Sequence, residues 1–125
     1  MEFKEVSDDN RRTIYANDKL LEDNKEVSII HLKKGKAIGG CVHSKDENMF
    51  IISGSFVFCD FGDGWEIHKE GYGKIIKART PHAFMAPMED CIIIESGITK
   101  KDKDDSVKVN YMLDEVNRIN GKNYN

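Results

Sequence analysis

Cysteine is too sparse in this 125-residue chain to build a covalent framework: Cys41, Cys59 and Cys91 are odd in number and form no C-x-x-C clip. No apolar segment of the signal-peptide kind opens the sequence, so the expected compartment is a reducing one, the cytoplasm. A run of about 18 apolar residues is also lacking, which excludes a transmembrane helix. Charge of one sign is missing too. Nineteen basic and 22 acidic residues, a net charge of −3, are spread along the chain and leave no basic stripe for nucleic acid or an anionic membrane. Neither is expected as a partner; a small neutral or polar ligand is. The sequence has no internal repeat and no low-complexity linker. At 14.3 kDa its length suits one domain, residues 1–125, that buries about two-thirds of the unfolded surface.

What is present is a series of short β-rich segments punctuated by Gly, Asp and Asn, the spacing of an all-β sandwich or barrel. Strands are predicted at 26–32, 38–42, 48–53, 56–60, 65–69, 73–77, 82–86 and 91–95. Gly54-Ser55 marks one turn and the Phe61-Gly62-Asp63-Gly64-Trp65 run another, because glycine supplies the positive φ values of tight hairpins. Ile14-Tyr15 is expected to add an edge strand. After a charged run at 100–105, Val109, Met112, Leu113, Val116 and Ile119 recur at helical spacing and stop before Gly121. That predicts a terminal helix over about 107–120, packed on a barrel core of about 26–96.

Within the β-rich region, Gly40-Cys41-Val42-His43 is followed by Glu47 four residues after the histidine and by Gly54 seven residues after the glutamate. Downstream come Gly71 and Thr80-Pro81-His82-Ala83-Phe84. This arrangement resembles the two-part signature of the cupin superfamily, G-x5-H-x-H-x3,4-E-x6-G and G-x5-P-x-G-x2-H-x3-N. Cys41 stands at the position of the first histidine, and Lys77, Arg79 and Ala86 stand at those of Pro, Gly and Asn. The resemblance implies a single jelly-roll β-barrel of two antiparallel sheets with a short C-terminal helix, and a homodimer.

Strand geometry adds chemistry to that resemblance. Side chains alternate faces with period two, so Cys41 and His43 point the same way, and Glu47 shares its face with Met49 and Ile51. With His82 from the strand across the barrel, Cys41, His43, Glu47 and His82 form a candidate ligand set. Imidazole and carboxylate donors suit a divalent transition metal such as Fe, Zn, Mn or Ni, and a thiolate favours the softer ions. Cys41 is equally readable as a small buried hydrophobe, as Cys59 and Cys91 are. His31 and His68 lie outside both motifs and are read as ordinary hydrogen-bonded residues.

Three functional readings follow. The first is a small-molecule-binding cupin with a metal in the barrel, acting on a carbohydrate or small polar metabolite. The second is implied by a loose similarity of Cys41-Val42-His43-Ser44-Lys45 to the H-x-H-K run of another cupin branch, and is a metal-independent nucleotide-sugar ketoisomerase or epimerase. There His43 is the catalytic acid/base beside a carbonyl, a task suited to imidazole near neutral pH, and His82 or Tyr15 assists. The third is a non-catalytic ligand-binding or sensor barrel walled by Trp65, Phe84 and Met85. Alternation places Lys77 and Arg79 on one face of the strand leading to His82, where they would recognise a carboxylate or phosphate.

Overall fold

The computed structural model describes residues 3–17, 27–60, 64–97 and 106–121. Eleven strands and one helix lie among them: β1 (Lys4–Asp8), β2 (Arg12–Asn17), β3 (Val27–Leu32), β4 (Ala37–Val42), β5 (Glu47–Ser53), β6 (Ser55–Asp60), β7 (Gly64–Lys69), β8 (Gly73–Ile76), β9 (His82–Met85), β10 (Cys91–Ser96), β11 (Val107–Lys108) and α1 (Asn110–Ile119). All eight predicted central strands are present, most of them within a residue of the expected bounds. The turn at 61–63, the charged run at 100–105 and the side chains of Cys59 and Trp65 lie outside what is described.

The strands pair antiparallel into two sheets, ordered β1-β2-β3-β10-β5-β8 and β11-β4-β9-β6-β7. This is an all-β jelly-roll with one C-terminal helix. Period-two alternation builds it. Glu47, Met49 and Ile51 of β5 are buried while Asn48, Phe50 and Ile52 between them are exposed, and β3 and β10 alternate in the same way. The inward residues Ile30, Leu32, Ile38, Met49, Ile51, Ile76, Phe84, Cys91 and Ile93 form the core between the sheets. Gly54 closes the β5–β6 turn at φ 81°, where a Cβ would run into the carbonyl oxygen of Asp90.

Three expectations need correction. Ile14-Tyr15 lies in β2, which is not an edge strand: β1, absent from the sequence reading, covers it on one side and β3 on the other. The terminal helix begins at Asn110, because Val107 and Lys108 pair with Val42 and Cys41 of β4 as a short strand instead. The strand leading to His82 stops at Ile76. As the helical spacing predicts, α1 buries Met112 and Val116, packing on the outer face of the five-stranded sheet beside Ala37 and Ala83. The Asn120 side chain pins its end by accepting from the Ala37 amide at 2.7 Å and donating to the Ala37 carbonyl at 2.8 Å. No helix among the described residues is long and apolar enough to cross a membrane.

Candidate metal centre

The site depends on an irregularity in β4. Gly39 pairs with Ala83, but the next paired residue is Cys41, opposite His82, so one extra residue sits in β4 at Gly39-Gly40. Such a bulge changes which face the following residues occupy. Before it, Ile38 faces the core and Ala37 the helix; after it, Cys41 joins the face of its partner His82, not that of Ala37 and Gly39. Both glycines have positive φ, 103° and 90°. A Cβ on Gly39 would lie 2.9 Å from the Ala83 Cα and the His82 carbonyl oxygen, and one on Gly40 would lie 3.1 Å from the Leu113 backbone of α1. Only glycine fits this crossing of β4, β9 and the helix.

The bulge brings His43 to Glu47 and His82. One donor atom from each of these three residues lies within 4.8 Å of the other two. Glu47 is 1% exposed, His82 is buried, and His43 is half-buried at the rim. His82 Nδ1 donates to the Thr80 carbonyl at 3.0 Å. A carbonyl only accepts, so in the neutral ring Nε2 presents its lone pair to the site, the orientation that metal-bound histidines receive from such partners. That Nε2 is 3.8 Å from Glu47 Oε1, too far for a hydrogen bond. Ligands about 2.0–2.2 Å from one ion are separated by roughly 3–4 Å, so the donor set and spacing fit a metal.

Cys41 lies beside this trio without joining it. Its sulfur is 3.8 Å from His43 Nε2, yet it is not among the donors that share one neighbourhood. Burial pushes its thiol up, and the nearby Glu47 charge adds to this; a hydrogen bond with Ser106 lowers it, and Glu95 raises it again.

The residues expected to bind substrate are scattered. Tyr15 pairs with Ile29 on the outer face of its sheet, opposite to Ile14 and Ile30, and so does not share the interior with His43. Lys77 and Arg79 lie in a turn beyond β8, where strand alternation no longer applies. The Lys77 side chain is 73% exposed and 3.7 Å from Asp46. Arg79 is exposed at φ 63°, the left-handed conformation for which the cupin pattern has glycine at this place. Its amide donates to the His43 carbonyl at 2.8 Å, and Asp46 Oδ1 accepts from the Ala78 amide at 2.8 Å. These bonds tie the loop carrying His43 to the turn that leads into His82. Phe84 is a buried core residue whose ring centroid is 5.7 Å from that of His82.

Sequence reasoning missed Glu95. It is 7% exposed and shares the inward face of β10 with Cys91 and Ile93, a parity that Cys91-Ile92-Ile93-Ile94-Glu95 displays once β10 is known to be half-covered.

No family model matches the sequence, and no curated protein matches it. Solved structures match the fold. A structure of the DMSP lyases RdDddP and RnDddQII aligns at 16% identity over 86% of this chain, with a TM-score of 0.68. Oxalate decarboxylase of Bacillus subtilis, studied for its Mn(II) centres, aligns at 14% identity over 88%, TM-score 0.68. The capsular polysaccharide assembling protein CapF of Staphylococcus aureus aligns at 17% identity over 87%, TM-score 0.68. This chain spans 61%, 31% and 32% of those chains, respectively. These neighbours are cupins, and the fold of this chain is the cupin fold.

Proposed function

We propose that this protein is a metal-dependent cupin that holds a divalent transition ion on His43, Glu47 and His82 and acts on a small polar metabolite. One observation carries the reading: His82 Nε2, with its ring fixed by Thr80, faces Glu47 Oε1 at 3.8 Å, a separation suited to two ligands of one ion. Two imidazoles and one carboxylate suit iron, manganese, nickel or zinc and leave coordination positions open. The Mn(II) centres of the oxalate decarboxylase neighbour support metal-dependent chemistry in this fold. A bound ion supplies Lewis acidity, polarising a carbonyl or carboxylate oxygen or acidifying a water. The chain does the rest. Thr80 holds the His82 ring, Asp46 and the Arg79 amide fix the two ligand-bearing loops against each other, and the buried Phe84 ring packs at a tilt beside that of His82.

Elemental analysis of untagged protein tests this. About one transition ion per chain is expected in the parent, with loss in Glu47→Gln and His82→Ala while the circular dichroism of the fold is kept. A parent that takes up none of Fe, Mn, Ni or Zn would overturn the metal reading and favour the metal-free use of His43 as acid/base.

A further inference from the structure

One residue beside the centre holds a backbone conformation that its side chain makes costly. Among the described residues Arg79, at φ 63°, is the one non-glycine residue in the left-handed region; the other positive φ values belong to glycines. That region crowds a Cβ against the following carbonyl, so the geometry favours glycine. Arg79 is third in the Lys77–Thr80 turn, which the Thr80 amide closes by donating to the Lys77 carbonyl at 3.1 Å, and a positive φ at that place ordinarily selects glycine or asparagine. The bonds that fix the turn come from its backbone: the Arg79 amide donates to the His43 carbonyl at 2.8 Å, and the Ala78 amide to Asp46 Oδ1 at 2.8 Å. Glycine would make the Arg79 bond equally well, without the strain. Backbone strain of this kind collects at functional sites. Here it sits between two ligand-bearing segments, since Arg79 is bonded to His43 through its amide and the next residue, Thr80, holds the His82 ring. The Arg79 side chain is exposed, at the rim where His43 is half-buried.

We propose that Arg79 is the specificity-determining residue of this centre, and that its guanidinium binds the far carboxylate of a small dicarboxylic acid whose near carboxylate reaches the ion on His43, Glu47 and His82. The bridge between the two ends rests on the metal reading. An arginine offers two parallel N–H donors that match a planar carboxylate, and such charge-assisted pairs are stronger than neutral ones. Lys77, the other cation of the turn, lies 3.7 Å from Asp46. Arg79 therefore meets the ligand as a single fork, which satisfies the two oxygens of a carboxylate and would leave the third oxygen of a phosphate to water.

Calorimetric titration of the Mn2+-loaded protein compares succinate with succinamate and glutarate with glutaramate, pairs in which an amide replaces one carboxylate at nearly constant shape. In at least one pair the diacid is expected to bind about tenfold more tightly than its monoamide. In Arg79→Gly that advantage should vanish at unchanged Mn2+ content. Arg79→Lys, which keeps the charge and loses the fork, should retain only part of it. Lys34→Gln removes an exposed cation from the β3–β4 turn and should leave it intact. The unfolding midpoint of metal-free protein separates recognition from architecture. Arg79→Gly should keep or raise it, because relief of the strain opposes the extra freedom that glycine gives the unfolded chain. No diacid advantage in the parent, an advantage that persists in Arg79→Gly, or a lowered metal-free midpoint in that variant would overturn the proposal and leave the metal reading standing. Failure to take up Mn2+, read by elemental analysis before any ligand is added, would overturn the bridge together with a manganese centre.

Discussion

At one end of the barrel, β3, β5, β9 and β10 point Ser28, Glu47, His82 and Glu95 inward; toward the other end the same four strands point Leu32, Ile51, Phe84 and Cys91 inward. One period-two rule builds both ends. The apolar end is sealed further by Ala86, whose amide and carbonyl bond to Lys36 and Gly35. Apolar burial there supplies the stabilisation that offsets buried imidazoles and carboxylates at the polar end. Stability and chemistry are thus separated along the strand axis, within residues of identical parity. The two described cysteines follow the same division: Cys41 borders the trio, whereas Cys91 is sealed in the core.

Trimming the apolar end should break the comparison most severely. Ile51 has no exposed surface, and Ile51→Ala is expected to cost about 2–5 kcal/mol in urea denaturation, with ion content per folded chain unchanged. Equal losses of ion and stability would mean that the ends are not separate. Next comes the bulge that joins them. Gly39→Val forces a side chain into the left-handed region and against Ala83 and the His82 carbonyl, so a loss of about 1–3 kcal/mol should accompany loss of metal uptake. A variant that keeps its metal would show that the bulge does not set the ligand geometry. The smallest effect concerns Cys91, whose thiol burial pushes up from 9.0 to about 11. The folded chain holds this proton more tightly than the unfolded chain does. The contribution is therefore full below about pH 9 and declines as pH rises towards 11. Denaturant midpoints at pH 8.5 and 10.5 should fall less in Cys91→Val than in the parent; parallel slopes would contradict this.

Much of this was legible in the sequence for stated reasons. The spacing of His43, Glu47 and Gly54 and the alternation in β3, β5 and β10 are local, and local patterns survive folding when one face is buried. β1 was not legible because four of its five residues are exposed and it carries no alternating apolar signal. The start of α1 is not encoded locally, because Val107 and Lys108 pair with β4, a partner more than 60 residues away. Strand parity does not reach Lys77 and Arg79, because β8 ends with Ile76.

By itself the sequence determined which residues share a face and how the jelly-roll strands are spaced, because backbone pleat and side-chain period are properties of the chain. Only the tertiary structure decided which way those faces look. The crossing of β4 with β9 and α1 demands the bulge at Gly39-Gly40, which turns Cys41 towards the face of His82, and the β5–β10 register sets Glu95 diagonal to Glu47. Both depend on contacts between segments far apart in sequence, which no local pattern encodes.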